Sequence, residues 1–146
     1  MESNFSNREL ILDTVNKLFV FTDKQLWGKL QEEVFTENIY FDMTSAGGLK
    51  PETISSAQIC KIWEDGFKNL DAVHHQAGNY LVEIEGDSAT VFANAIASHY
   101  KVSALNGKTR EFIGSYDLRL EKTRNGWRIS SFVYHLKYMT GNIDLD

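Results

Sequence analysis

Residues 73–100, VHHQAGNYLVEIEGDSATVFANAIASHY, decide how this chain folds. From Val73 the apolar residues recur every second position, and Glu85-Gly86-Asp87-Ser88 breaks the run in two, the pattern of an antiparallel hairpin. Two further turns follow, Leu105-Asn106-Gly107-Lys108 and Arg124-Asn125-Gly126, each carrying Asn-Gly, the strongest short hairpin signal. The chain beyond Val73 therefore reads as a meander of four long strands. Tyr116-Asp117-Leu118-Arg119-Leu120-Glu121 alternates apolar with polar, as a sheet with one wet face should.

The N-terminal half has the other period. Ser6-Asn7-Arg8-Glu9 has the form of a capping box, and Ile11, Val15, Leu18 and Phe19 follow at helical spacing, which predicts a helix over about 6–21. Asp23 can cap a second helix, in which Leu26, Leu30 and Val34 form a stripe ending near Glu37-Asn38. Residues 39–43 read as a short strand, and Thr44 to Thr53, with Gly47-Gly48 and the one proline, as a loop. Ser55 and Gln58 make a second capping box, opening a third helix through Ile59, Ile62, Trp63 and Phe67 that ends before Asp71. The plan is α+β: three N-terminal helices packed on a strongly curved, antiparallel or mixed sheet, a cone with room for a pocket between the layers.

The bulk numbers narrow the function. With 146 residues, 42% of them hydrophobic, the expectation is a single domain spanning 1–146. A net charge of -5 with acids and bases interspersed argues against a nucleic-acid partner. Cys60 is the one cysteine, so no intrachain disulfide and no cysteine metal centre can form, and the composition suits a reducing compartment. The start, MESNFSNREL, lacks the basic and apolar segments of a secretion signal, and no run approaches the ~20 apolar residues of a bilayer span. These features predict a soluble, cytoplasmic protein with no membrane partner.

Chemistry in such a chain falls to Asp23 and the histidines, because imidazole titrates nearest neutrality. His74-His75 opens the first long strand and His99 closes the second. Neighbouring strand residues face opposite ways, so one of the doublet shares the face of His99. A two-residue turn at Gly86-Asp87 sets His74 opposite His99, whereas a one-residue bulge or a three-residue loop brings His75 onto that face instead. Val91, Ala93, Ala95 and Ala97 leave space beside His99, either for a ligand or for a closely packed helix. His135 has no evident partner and reads as structural. Four scattered histidines show no compact metal spacing, and Gly47-Gly48 lacks the context of a phosphate loop.

The order of elements, with Asp23-Lys-Gln-Leu-Trp27, His75-Gln-Ala-Gly-Asn79, Glu85-Gly86-Asp87-Ser88-Ala89, Ser98-His99-Tyr100, Gly114-Ser-Tyr116 and Asn125-Gly126-Trp127-Arg128, resembles the nuclear transport factor 2-like superfamily, in its SnoaL-like and scytalone dehydratase-like branch. The resemblance implies catalytic roles for Asp23, His75 and His99, with Asp23 orienting His99, and its spacing to Asn79 favours His75 over His74. It implies loss of water next to a carbonyl, or a related isomerisation, on a small apolar cyclic compound, without metal or organic cofactor. It also implies a homodimer through the exposed face of the sheet. Residues marked as ligand contacts are Tyr40, Trp63, Phe67, Asn79 and Tyr116, with Tyr40 or Tyr116 as donor to a developing enolate oxygen. The family's carbonyl-polarising tyrosines correspond here to Thr22 and Met43, and its serine and asparagine on the third long strand to Gly114 and Tyr116. Those departures point to a different substrate, or to a non-catalytic binding or assembly module of the same fold.

Overall fold

The structure is a computed structural model that describes residues 4–146. Ser6 caps the first helix, α1 (Asn7–Asp23), through the expected reciprocal box: the Ser6 hydroxyl accepts from the Glu9 amide at 3.1 Å, and the Glu9 carboxylate accepts from the Ser6 amide at 2.7 Å. The helix runs through Asp23, two residues past the expected end. Asp23 therefore caps nothing. The second helix is short, α2 (Trp27–Lys29) followed by a π turn over Leu30–Val34, and it begins after Leu26 without a side-chain cap. The apolar stripe was legible, since Leu30 and Val34 are fully buried. The helix ends early because Phe35 already belongs to β1 (Phe35–Asp42), where it pairs with Ile129, so strand pairing overrides local periodicity.

A single-turn helix over Thr44–Ala46 follows, and the segment expected to be loop contains β2 (Glu52–Ser55). α3 (Ser56–Phe67) opens on the Ser55–Gln58 capping box. The meander then comprises β3 (Ala72–Glu85), β4 (Ser88–Tyr100), β5 (Thr109–Thr123) and β6 (Gly126–Gly141). All six strands form one sheet in the order β2-β1-β6-β5-β4-β3, mixed because β1 runs parallel to β6. The sheet is curved and open.

Curvature comes from irregularities in the pairing. On β3, Gly78 pairs with Asn94 and Leu81 with Phe92, so Asn79 and Tyr80 together oppose Ala93. Asn79 adopts the left-handed conformation, φ 54°, which asparagine tolerates better than most residues. The extra residue shifts the register beyond it, so Val73 faces His99 and His75 faces Ala97. His75 thus shares the inner face with His99, and His74 points away. Against that face α1 lays Ile11, Val15 and Leu18, which pack with Val91, Leu118, Leu120 and Ile129; each such buried side chain contributes about 1.5–3 kcal/mol. Ala93 and Ala95 are buried along the same face of β4.

Candidate active site

Beyond the last core layer the cone is not filled. A cavity of about 190 Å³ remains between α1, α3 and the sheet. Leu18, Phe19 and Thr22 line it from α1, Trp63 and Phe67 from α3, and Met43 and Ala46 from the turn after β1. The sheet contributes His75, Ala97, His99, Phe112, Tyr116, Phe132 and Tyr134. Its walls are mainly apolar, with two imidazoles and two phenols as the larger polar groups.

Asp23 stands at the C-terminal end of α1, where a carboxylate opposes the helix dipole at a cost of roughly 0.3–1 kcal/mol. Two hydrogen bonds from one residue offset it. The His75 backbone amide donates to Oδ2 at 2.9 Å, and His75 Nδ1 lies 2.6 Å from Oδ1. The amide is available because β3 is an edge strand of the sheet. The His75 side chain is 10% exposed, and its ring lies 5.6 Å from that of Phe19. His74 is 70% exposed, with Nδ1 3.8 Å from Asp23. The expected partnership of Asp23 with His99 is therefore replaced by one with His75, since the end of α1 lies against β3.

His99 has a different neighbour. Arg110, directly opposite on β5, donates from Nε to His99 Nδ1 at 3.1 Å. The ring is packed between Phe67 and Phe112, with centroids 5.6 and 5.0 Å away. Burial pushes its pKa down to about 4, aided by the positive charge of Arg110 and by His75. It is neutral at neutral pH.

Trp63, Phe67 and Tyr116 line the cavity, while two expected ligand contacts lie elsewhere. Tyr40 is 43% exposed and borders a shallow depression with Asn38, Thr53 and Arg119, because strand alternation turns it away from its buried neighbour Ile39. Asn79 is spent on the bulge, its side-chain oxygen accepting from Asn94 on the outer face at 3.2 Å. Of the positions where the family's tyrosines are missing, Thr22 donates its hydroxyl to the Leu18 carbonyl and Met43 has none to offer.

Sequence reasoning missed Tyr134 and Arg110. Tyr134 is directly opposite Tyr116, with ring centroids 4.8 Å apart, and its buried hydroxyl makes no hydrogen bond among the described residues. Burial raises both phenols, Tyr134 to about 12. The Tyr134 hydroxyl occupies the room a side chain at Gly114 would take: a Cβ there would stand 2.5 Å from it. The aromatic alternation of β6 was the available signal for Tyr134, and the strand register that sets Arg110 opposite His99 was the signal for the other.

Residues 4–133 match the model of a family described as the SnoaL-like domain. Among solved structures, Kfla4162 protein from Kribbella flavida superposes with a TM-score of 0.89 at 25% identity, covering 95% of each chain. A Novosphingobium aromaticivorans protein provisionally titled an aromatic ring hydroxylase gives a TM-score of 0.80 at 23% identity over 99% of each chain. A provisionally titled scytalone dehydratase from the same species gives 0.76 at 14% identity, covering 92% of this chain and 87% of that one. No curated protein matches.

Proposed function

The chain belongs to the SnoaL-like domain family, and from that premise we propose that it is a cofactor-independent lyase or isomerase acting next to a carbonyl on a small, largely apolar cyclic compound. The observation that carries this reading is the Asp23–His75 pair on the wall of a mainly apolar cavity. An ionised carboxylate only accepts hydrogen bonds, so Asp23 keeps the imidazole proton on Nδ1 and turns the Nε2 lone pair outward. Among the described residues Nε2 makes no hydrogen bond, so it is available to remove a proton from a carbon beside the substrate carbonyl.

The electron pair of the broken C–H bond moves onto the carbonyl oxygen, giving an enolate, and His75 becomes an imidazolium paired with Asp23. Returning that proton to another carbon completes an isomerisation. Delivering it to a hydroxyl on the neighbouring carbon expels water and completes a dehydration. General acid–base catalysis of this kind supplies roughly 10²–10⁴ in rate. His99 and the Tyr116 hydroxyl line the same cavity as His75, and we assign them to receive the enolate oxygen. The structural neighbour provisionally described as a scytalone dehydratase supports this reading.

The test is deuterium exchange of the carbon-bound protons of a panel of cyclic ketones in D₂O. Wild type exchanges a subset of the panel, and His75→Gln loses about 10²-fold or more of the rate. Absence of exchange across the panel, together with ligand binding in the cavity, would establish the non-catalytic module instead. We also assign the outer face of the sheet, where Leu81, Ile96 and Tyr138 are exposed, to a homodimer interface. Sedimentation at the 16.7 kDa monomer mass would refute that assignment.

A further inference from the structure

We propose that Arg110 is a positioning residue that holds His99 in its neutral Nε2–H form, so that the cavity presents one imidazole that accepts and one that donates. Arginine carries five N–H donors and no acceptor. Its Nε can approach His99 Nδ1 to 3.1 Å as a hydrogen bond only if that nitrogen bears a lone pair. A neutral imidazole has a single N–H, which must then lie on Nε2. His75 is the mirror case: Asp23 accepts the hydrogen bond from its Nδ1–H and so leaves Nε2 bare. The two pairs run in opposite electrical senses, a carboxylate behind one ring and a guanidinium behind the other.

The guanidinium is itself immobilised. Nη1 donates to the Ile143 carbonyl at 2.9 Å, and the cation lies 5.6 Å from the Phe112 ring centroid. Ile143 belongs to a C-terminal clasp beyond β6. The Asn142 amide donates to Thr109 at 2.9 Å, the Asp146 carbonyl accepts from the Leu105 and Asn106 amides, and Leu145 is buried. The tail thus aims Arg110, and Arg110 aims His99. Protonating His99 would set an Nδ1–H against the arginine N–H and a second positive charge beside the first. The charged and titratable groups that face the ring are Arg110 from β5, His75 from β3 and Asp23 from α1, and Asp23 alone favours protonation.

The role of the donor follows: the substrate should offer an acceptor oxygen to His99 Nε2 while its acidic carbon meets His75. That role rests on the proposed acid–base reading, whereas the tautomer does not. Two measurements separate them. Long-range ¹H–¹⁵N correlation spectra of the ¹⁵N-labelled full chain, with His99→Gln for assignment, report which ring nitrogen carries the proton. The wild-type spectrum should show His99 neutral with the proton on Nε2 from neutral pH down to pH 5. In Arg110→Met the Nε2–H form should lose its dominance, the titration midpoint should rise by about one pH unit, and kcat should fall more than KM changes. A wild-type His99 that is protonated on Nδ1 or cationic at neutral pH overturns the proposal, as does an Arg110→Met spectrum identical to wild type. Because the wild-type spectrum settles the tautomer, a poorly folding variant does not protect it. Loss of ketone exchange with the tautomer as stated would instead sink the functional reading.

Discussion

Two histidine–aspartate pairs of nearly the same length occupy opposite faces of this sheet. His75–Asp23, at 2.6 Å, has side chains 10% and 17% exposed on the cavity side; His135–Asp117, at 2.8 Å, has side chains 54% and 58% exposed on the convex side. The hydrogen bond is alike, and what differs is the medium. Water screens the outer pair and competes for its atoms, so it contributes little. The inner pair is shielded, its carboxylate also holds a backbone amide, and its free nitrogen faces an apolar chamber where a substrate would be desolvated. A dyad becomes a candidate site through what surrounds it.

The sharpest way to break that contrast is to remove the acceptor from each. Asp23→Ala leaves the His75 amide and ring N–H without partners in a low-dielectric setting and should cost about 3–5 kcal/mol in urea unfolding, after the precedent of broken buried pairs. Equal losses for Asp23→Ala and Asp117→Ala would show that burial does not distinguish them.

Acidification probes the cavity from the side of His99. Its folded pKa, about 4, lies below the ordinary histidine value, so the unfolded chain binds the extra proton first. Stability from this group is complete above about pH 6.5 and is lost as pH falls toward 4, at most on the order of 3 kcal/mol. Urea midpoints across that window should fall less for His99→Gln than for wild type. Parallel curves would contradict a neutral, buried His99.

Gly114 tests the shape of the chamber. A methyl there meets the His135 carbonyl and the Tyr134 hydroxyl, so Gly114→Ala should cost about 1–3 kcal/mol through overpacking and push the Tyr134 ring from its place. A stability unchanged from wild type would mean that the phenol has room to spare. The smallest effect belongs to the outer pair, where Asp117→Ala should change stability by less than about 1 kcal/mol and leave any ketone exchange unaltered.

Much of this was readable from residues. The Gly86-Asp87 turn and the period of two gave the meander, and both capping boxes form as their spacing requires. The second helix was misjudged because its apolar stripe continues into a strand that long-range pairing with β6 claims. The histidine doublet turned on a single bulged residue at Asn79, a feature that alternation alone cannot place. For the site, the participants are partly legible and the pairing is not: the resemblance pairs Asp23 with His99, whereas the structure pairs it with His75, because contact between the end of α1 and the edge strand β3 is a tertiary fact. Tyr134 was hidden for a related reason, since its burial depends on the absent side chain of Gly114 across the sheet.

The central claim is that His75, held by Asp23, is the base. The most direct measurement compares ketone proton exchange in Asp23→Asn and Asp117→Asn beside wild type. Asp23→Asn keeps the size of the side chain but weakens its hold on the Nδ1 proton, and it should slow exchange about 10²-fold or more, while Asp117→Asn exchanges at the wild-type rate. Undiminished exchange in Asp23→Asn would contradict the account.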